Sequence, residues 1–399
     1  MAQTLMSTGT LTLERAVANN WDAVVVGAGP GGALAARQLA LTGVRTLLVE
    51  RHSFPRNKVC GGCLNGRALE VLRSVGLENE LNTLRPVALN RFVLQANRRR
   101  VELVLPAGAA IRRSNFDAML VQAAIDAGAE FLPETLAVVE NDDRTDLASR
   151  RVHLRQNGGS HRTAMAKVIV AADGLGHPSL QRIPAFACQV ELASRIGIGT
   201  TICEATGGYR SNTIYMALAK WGYVGLVRTG DGWWNLAAAL DPTALKQALS
   251  PAALVANTMR EAGLPELPSL ASCVWQGTPP LTRQSASLAA ARIFLLGDAA
   301  GYMEPFTGEG MGWALSSAIA VVPAVLQSVT ASSELAMVQW DAGQRRQLQR
   351  GQAVCHIVRG LLRRPALVSA GLHALSVVPS LANPLVRRVY ARPAKARYP

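Results

Sequence analysis

The sequence predicts an α/β protein in which a Rossmann-type nucleotide-binding domain is interleaved with a smaller antiparallel-sheet domain and followed by a helical C-terminus. Three observations predict this fold. A strand, a glycine-rich turn, a helix and a second strand follow one another within residues 22–50. A strand leading into a glycine-rich loop and a helix recurs at 293–326. Between them, stretches such as Ser194 to Ile202 alternate as antiparallel strands do, and 399 residues suffice for two intertwined domains.

The composition limits the functions open to the chain. Hydrophobic residues make up 49% of it and charged residues 17%, which is globular rather than disordered composition. The net charge of +14 rests almost entirely on arginine, since there are few lysines. Such a charge would suit nucleic acid, anionic lipid or an acidic cofactor. The arginines are dispersed and no nucleic-acid motif accompanies them, so we predict no nucleic-acid partner.

Two features bear on location. The residues before Trp21 lack the basic start and apolar stretch of a secretory signal. Six unevenly placed cysteines in a chain of this length argue against a disulfide framework and favour a reducing compartment. We therefore expect a cytoplasmic protein, which in one interpretation is peripheral at the inner membrane.

The first cofactor unit is the segment 22–50. Its glycine turn has the pattern G-x-G-x-x-G, in which Gly27 permits a tight turn, Gly29 lets the backbone approach a pyrophosphate, and Gly32 allows close helix–strand packing. The helix that follows offers free N–H groups to phosphates. Glu50, at the end of the second strand, is placed to accept hydrogen bonds from ribose hydroxyls. The predicted contacts are Gly27, Gly29, Pro30, Gly31, Gly32, Glu50 and Arg51.

A second segment, 293–313, favours FAD over NAD alone. Its strand ends at Gly297-Asp298, where an Asp can bind the ribityl hydroxyls of a flavin. A glycine-containing loop then opens into a predicted helix from Met311 to Leu326, whose first N–H groups can face the flavin pyrimidine carbonyl. The predicted contacts are Gly297, Asp298, Gly308, Gly310 and Met311.

These residues resemble a known family. The spacing GD-A-A-G-x-x-x-P-x-x-G-E-G is similar to the flavin motif of the p-hydroxybenzoate hydroxylase-like superfamily, and Gly301 with the 308–310 run looks most like its geranylgeranyl reductase branch. The resemblance implies that Arg113, in R-x-x-F-D, reaches the flavin phosphates and that Asp173-Gly174 belongs to the cofactor site. It also implies FAD as cofactor, with NAD(P)H, another reductant or an electron-donor protein supplying electrons.

The stretch R-x-K-x-C-G-G at 56–62 also resembles that branch and implies Lys58 near the flavin, with Cys60, Gly61, Gly62 and Cys63 lining the substrate site. Cys60 and Cys63 form a C-x-x-C, which leaves three interpretations open: a flavin-side loop, a redox dithiol, or half of a metal site. The first is preferred, because no second cysteine or histidine pair stands at ligand spacing. No metal is predicted.

The substrate is predicted to be a hydrophobic small molecule, isoprenoid or polyketide-like. Trp221 and Tyr223 fall where geranylgeranyl reductases carry an aromatic Y-x-W-x-F-P segment, and with Phe306 they are predicted to line the substrate space. Gly225 stands in place of the family's Trp, which implies a differently shaped pocket. Double-bond reduction, hydroxylation of an aromatic ring and a non-catalytic flavin- or lipid-binding role all stay open. The W-x-W-x-I-P motif of flavin-dependent halogenases is absent.

The C-terminal stretch 366–388 has no Asp, Glu, Lys or Arg before Arg387 and is framed by arginine pairs. Prolines make it a poor spanning helix, so it is interpreted either as helices that pack on the flavin domain or cap the pocket, or as a hairpin in peripheral contact with a membrane. The predicted organisation is 20–80, 113–185 and 286–335 for the FAD-binding domain, 81–112 and 186–285 for the substrate domain, and 336–399 for the C-terminal helical region.

Overall fold

The computed structural model describes residues 9–142, 148–156, 159, 161–203, 208–304, 306 and 308–390. The predicted α/β class is confirmed. The strands are β1 Asn20–Val26, β2 Thr46–Val49, β3 Cys63–Asn65, β4 Val87–Ala88, β5 Arg91–Ala96, β6 Arg99–Val104, β7 Gly108–Ala110, β8 Glu130–Leu132, β9 Thr135–Val139, β10 Arg150–Gln156, β11 Arg162–Ala171, β12 Cys188–Val190, β13 Ile196–Ile202, β14 Thr213–Ala219, β15 Gly222–Arg228, β16 Trp234–Leu240, β17 Gln276–Pro280, β18 Arg283–Ser285, β19 Ala289–Ala290, β20 Ile293–Leu295 and β21 Gly301–Tyr302.

The α-helices are α1 Leu13–Ala18, α2 Pro30–Leu41, α3 Gly66–Ser74, α4 Glu78–Thr83, α5 Arg113–Asp126, α6 Pro242–Gln247, α7 Pro251–Ala262, α8 Gly310–Ala320, α9 Val322–Thr330, α10 Glu334–Leu362, α11 Pro365–Val377 and α12 Asn383–Tyr390. A short 3-10 turn, Pro379–Ala382, joins the last two. The predicted single helix from Met311 to Leu326 is wrong in one respect, since it is divided at Val321 into α8 and α9. Pro323 explains the division, because proline lacks an N–H and its ring disturbs the preceding helical turn.

The larger sheet carries the nucleotide-binding topology. Strands β20, β11, β1, β2 and β8 lie side by side in that order and all run parallel. β19 pairs antiparallel at one edge, and β9 and β10 form an antiparallel extension on the first half of β11. Because parallel strands are covered on both faces, β1 is apolar and buried almost throughout.

Each face of this sheet has its own core. Alternate β1 side chains point to opposite sides: Val25 packs with apolar residues of α2, α5 and α8. Val24 packs with α1, β9, β10 and the segment that leads to Phe186. In the first of these cores, α2 lies between α5 and α8. The N-termini of these three helices, which the sequence assigns to the cofactor, therefore lie in one layer.

The second sheet covers the cofactor layer, and we call it the roof sheet. Its strand order is β17, β13, β16, β15, β14, β5 and β6, antiparallel except for the parallel pair β14–β5. Side chains alternate across it: Tyr215 and Leu236 face α7 on the outer side. Met216 and Ala239 face inward together with Tyr223 and Phe306. Strands from 81–112 and from 186–285 therefore build one sheet.

Two small sheets tie the larger ones together. β3, from the first predicted segment, pairs with β7, and β7 pairs with β4. β21, which follows Asp298, pairs with β18, and β18 pairs with β12. These short strands cross the predicted segment boundaries, so the two parts of the protein are hydrogen-bonded to each other through their backbones.

The C-terminal helices pack against the roof. α11 lies beside β5 and β6, and Leu372, Val389 and Tyr390 are buried in the same cluster as Tyr223. Among the described residues, two segments are long and apolar enough to cross a membrane: Gly310–Thr330, and the bent pair Ala366–Val377 with Pro379–Tyr390 if the pair is counted as one. The first has 61% of its apolar window buried, and its hydropathy is that of core helices. The part of the predicted C-terminal region at 391–399 lies outside the described residues.

The contact between α2 and β1 gives a test of the fold. A Cβ on Gly32 would lie 1.9 Å from the carbonyl oxygen of Gly27, which the backbone cannot accommodate without moving the helix. We expect Gly32→Ala to lower the free energy of unfolding by at least about 1–3 kcal/mol, as overpacked sites do, in urea titrations followed by circular dichroism. Gly343→Ala in α10 is the control: its added Cβ meets nothing within 4 Å, and it should raise stability by about 0.5–1 kcal/mol. Equal stability of the two variants would contradict the packing.

Candidate functional site

A glycine turn at the end of β1 opens the site. Gly27 has φ +98°, and a Cβ there would lie 2.5 Å from the Ala172 carbonyl oxygen, so only glycine fits. Gly29 is the N-cap of α2 and Pro30 begins its first turn. Gly31 packs where a Cβ would meet the Leu296 side chain at 2.8 Å. Gly29, Pro30 and Gly31 line the main cavity of the protein, so the partial positive charge and free N–H groups of the helix start face that cavity.

A smaller pocket adjoins the turn and contains two carboxylates. Glu50 is buried, and its oxygens accept hydrogen bonds from the Ala28 N–H at 3.0 Å and the His52 N–H at 3.1 Å. Asp173, at the end of β11, accepts one from the Ser179 N–H at 2.8 Å. Gly27 and Arg51 complete the wall with residues of β9 and the 178–179 segment.

One oxygen of Asp173 supports a nucleotide in this pocket. Its Oδ1 is buried and has no hydrogen-bond partner among the described residues, and burial raises the pKa of this carboxyl group. A buried polar atom without a partner costs free energy that a bound donor would recover. Ribose hydroxyl groups are donors of this kind, and Asp173 and Glu50 flank the glycine turn as such binding requires. The residues present thus fit the nucleotide half of FAD.

Two arginines stand beside the turn, held by a carboxylate. Arg113 donates to Asp117 through both Nε (2.9 Å) and Nη2 (2.8 Å), and Arg56 Nη2 lies 3.6 Å from Asp117 Oδ2. Arg56 Nη2 is also close to Gly29, 3.5 Å from where a Cβ on that residue would stand. Because Asp117 is fully buried, it fixes both guanidinium groups, and their positive charge is available to a pyrophosphate. Arg56 and Asp117 were not predicted as site residues, although both lie inside the motifs that were recognised.

The second cofactor segment lines the same cavity as the glycine turn. Gly297, at φ +57°, follows β20 and donates its N–H to Ser317 Oγ at 3.1 Å. Asp298 Oδ2 lies 3.8 Å from Lys58 Nζ, and loss of hydration lowers the pKa of Lys58 while Asp298 opposes that change. Gly174 has φ +86°, in the left-handed region that favours glycine, and a Cβ there would lie 3.3 Å from Lys58 Nζ. The residues predicted for this side line the cavity together: Lys58, Arg113, Gly174, Gly297, Asp298, Gly308, Gly310 and Met311.

The cysteine loop forms one wall of the cavity. Cys60, Gly61, Gly62 and Cys63 all line it, and Asn235 of β16 holds the loop by donating to the Cys60 carbonyl oxygen at 2.7 Å. Both cysteines are free thiols. Burial raises the pKa of Cys63 to about 12, so this thiol is protonated at neutral pH and is a poor nucleophile. A buried thiol that stays protonated favours the interpretation of this loop as a wall of the cavity over its interpretation as a redox dithiol. Within the described residues, no cluster of His, Cys, Asp or Glu is placed to hold a metal ion.

The substrate end is apolar, and it corrects one prediction. Tyr223 and Phe306 line the cavity and meet edge to face, with ring centroids 5.2 Å apart. Trp221 does not line this cavity. It precedes β15 in the turn and packs with the outer cluster under α7, with Lys220 Nζ 4.4 Å from the centre of its ring. The reversal of the chain between β14 and β15 turns its ring to the opposite face, so its prediction as a substrate-lining residue is wrong.

Relatives with known names resemble the chain over most of its length. It is 28% identical over 314 residues to the menaquinone reductase of Mycolicibacterium smegmatis, a match that covers 74% of each chain. It is 26% identical over 322 residues to the digeranylgeranylglycerophospholipid reductase of Methanocella arvoryzae, covering 75% of this chain and 76% of that one. The solved structure of a flavin-dependent brominase superposes with a TM-score of 0.76 at 19% identity, covering 93% of both chains, which shows a shared fold.

The position of Gly29 gives a test that separates binding from folding. Its backbone is extended (φ −74°, ψ −178°), and an added Cβ meets no atom closer than 3.5 Å. Gly29→Ala should therefore leave the unfolding free energy of the cofactor-free protein within about 0.5 kcal/mol of wild type, yet weaken FAD binding by about tenfold or more, equivalent to about 1.4 kcal/mol, because the methyl group occupies the approach of the pyrophosphate. Fluorescence titration with FAD measures this. An unchanged dissociation constant would place the pyrophosphate elsewhere.

The match to a family extends over both cofactor segments and the strands between them. Residues 20–337 correspond to the family described as FAD binding domain. This range holds the glycine turn, the carboxylate pocket and the loop that follows Asp298, which the structure gathers around one cavity. The chain therefore belongs to the FAD binding domain family, the p-hydroxybenzoate hydroxylase-like superfamily of FAD-dependent oxidoreductases.

Proposed function

We propose that this FAD-dependent oxidoreductase reduces a carbon–carbon double bond in a hydrophobic, polyprenyl-bearing small molecule. The observation that carries the proposal is the distribution of charge in the cavity. Its charged lining residues are Lys58, Arg113 and Asp298, all at the cofactor end. Toward the roof sheet the lining residues are apolar or carry an uncharged hydroxyl group, and the apolar ones include Phe92, Ile214, Met216, Leu226, Leu281 and Phe306.

Such a wall suits a substrate without charge. An ionised or strongly polar aromatic ring would need hydrogen-bonding or charged partners when buried, and the roof end offers only hydroxyl groups for this. An alkene chain needs none, and its burial is favoured in proportion to its apolar area. The cavity wall on the roof sheet includes residues with no side chain or only a methyl group: Gly197, Gly225, Ala237 and Ala239. They leave space along the sheet for an extended alkene chain.

The relatives support the same class of reaction. By their names, one reduces menaquinone and another reduces a phospholipid that carries geranylgeranyl chains. The brominase and the other solved structures share the fold at under 25% identity, so they do not select a reaction for this chain. Gly225 stands where the geranylgeranyl reductases carry Trp, which implies a pocket of different shape.

Bound FAD in its reduced form would supply a hydride, that is, two electrons and one proton, to one carbon of the double bond. The chain must then provide the second proton to the other carbon. Tyr223, Tyr302 and Tyr390 line the cavity. Burial raises the pKa of Tyr223 and of Tyr302 well above the usual value, so both carry their proton at neutral pH. Tyr302 follows Asp298 in the chain, and its Cε2 lies 3.7 Å from where a Cβ on Gly310 would stand, at the start of α8. Because this position is at the cofactor end of the cavity, we propose Tyr302 as the proton donor.

Lys58 and Arg113 are placed to orient the cofactor rather than the substrate, since Asp298 and Asp117 hold them at that end. The reductant that recharges the flavin is proposed to be NAD(P)H, another small reductant or an electron-donor protein. The segment after Gly174 departs from the family pattern through the insertion Gly176-His177-Pro178. His177 is buried there and bonds the backbone oxygens of Ala299 and Phe186, a structural role in a segment that lines the nucleotide pocket.

Product analysis tests the proposed reaction. Protein loaded with FAD and supplied with dithionite should convert a digeranylgeranyl glycerophospholipid to products that have gained pairs of hydrogens, as measured by mass spectrometry. A saturated phospholipid of the same headgroup is the control. Incorporation of an oxygen atom from labelled dioxygen into an aromatic substrate, with no hydrogenated lipid, would instead identify a monooxygenase and contradict the proposal.

Gly225 tests where the substrate chain lies. A Cβ there makes ordinary contacts of 3.5 Å with Met216 and Ala237, so a larger side chain can extend into the cavity without a backbone clash. We expect the added ring of Gly225→Phe to occupy space that the substrate chain needs, and therefore to lower kcat/KM for the polyprenyl lipid about tenfold or more. FAD affinity should be unchanged. Gly277→Phe on the exposed strand β17, where a Cβ meets nothing within 4 Å, is the matched control. An equal loss of kcat/KM in both variants would show that the substrate chain does not lie in this part of the cavity.

A further inference from the structure

The C-terminal helices expose an unusual concentration of apolar side chains. Seven large aliphatic residues between 357 and 385 are each between 41% and 68% exposed: Ile357, Leu361, Leu367, Val377, Val378, Leu381 and Leu385. Single exposed aliphatic residues are ordinary, whereas a contiguous group marks an interaction surface. We define this group as the apolar hairpin surface.

The surface extends beyond the hairpin onto neighbouring elements. Arg359 Nη1 forms an ion pair with Glu191, and Arg363 donates to the Ala193 carbonyl oxygen, which fastens the end of α10 to the 190–193 segment. Leu192 in that segment is fully exposed. At the other end, β6 contacts α11 and the 3-10 turn, and its last residue, Val104, is exposed. Three separate parts of the chain thus present apolar side chains around the same helices.

The charge around this surface identifies what it contacts. No Asp or Glu occurs after Asp341, while Arg363, Arg364, Arg387 and Arg388 flank the hairpin and are exposed. A second copy of the chain would bring the same arginines against each other and repel. Anionic lipid headgroups attract them, at about 1 kcal/mol for each basic residue close to the membrane surface. We propose that the apolar hairpin surface docks the protein on the face of an anionic lipid bilayer.

The shape fits a surface contact rather than a span. α11 and the segment from Pro379 to Tyr390 are bent by 119° relative to each other, so their apolar residues enter the lipid interface from one side while arginines meet headgroups. The inner sides of the same helices carry Leu372, Val389 and Tyr390, which are buried against the roof sheet. Tyr390 also lines the cavity. One helical layer therefore separates the docked lipid from the substrate space, although docking itself does not rest on the proposed reaction.

Vesicle flotation of the full-length, FAD-loaded protein tests the proposal. Wild type should float with phosphatidylglycerol-containing vesicles and remain unbound with phosphatidylcholine vesicles, and added salt should weaken the binding because it screens the arginines. Val377→Ser/Leu381→Ser and Arg364→Glu/Arg387→Glu should each lower the bound fraction about tenfold or more. Leu249→Ser and Arg155→Glu are matched controls, since both residues are exposed on other parts of the molecule, and both should bind as wild type does.

The flavin absorbance of every variant shows whether it is folded, and surface changes of this kind should leave it unchanged. Binding of wild type that is equal for neutral and anionic vesicles, or equal in the hairpin variants and the controls, would overturn the proposal. So would light scattering that finds a wild-type dimer which Val377→Ser/Leu381→Ser converts to a monomer, because the surface would then be an interface between two copies.

Discussion

The close approach of α2 to the end of β1 is the constraint on which the rest of the structure depends. Gly27 and Gly32 let the helix start directly above the strand, with no room for a Cβ between them. α2 is flanked by α5 and α8, and these helices carry Arg113 and the Gly310–Met311 start of the second cofactor segment. If α2 were displaced, all three elements would lose their common orientation toward the cavity. A local backbone contact therefore sets the geometry of a site whose residues are almost 300 positions apart in the sequence.

The electrostatics of the cavity follow from that arrangement. Asp117 is buried and binds two arginines beside the glycine turn, and Asp298 neutralises Lys58 at the flavin end. Charge is thereby confined to the part of the cavity where a dinucleotide with two phosphates and a flavin would lie. The roof sheet closes the other part with apolar side chains and uncharged hydroxyl groups, and the C-terminal helices cover its edge. Continuity from an exposed apolar surface through a helical layer to an apolar cavity is what a lipid-like substrate requires.

The sequence sufficed for the elements whose periodicity and end signals agree. β1, α2, β2 and β20 lie where the strand and turn patterns place them. The cofactor residues predicted from motifs line one cavity or its adjoining pocket, except Gly32, which packs against Gly27. The strand pattern did not give the direction of the Trp221 ring. Such a pattern assigns side chains to faces only within a strand, and Trp221 lies in the turn before β15. Arg56 and Asp117 went unrecognised as site residues because their part depends on an ion-pair network formed between separate segments. The strands of two or three residues in the small sheets carry too few side chains to show any period.

The most direct test of the central claim uses the flavin itself. The bound flavin is photoreduced without oxygen, and its absorbance is followed as a phospholipid bearing geranylgeranyl chains is added, beside the same lipid with saturated chains. We expect the spectrum of oxidised flavin to return with the unsaturated lipid alone, and this lipid to gain hydrogen. If the oxidised spectrum returned only after oxygen was admitted, and at the same rate with either lipid, the assignment as a double-bond reductase would be contradicted.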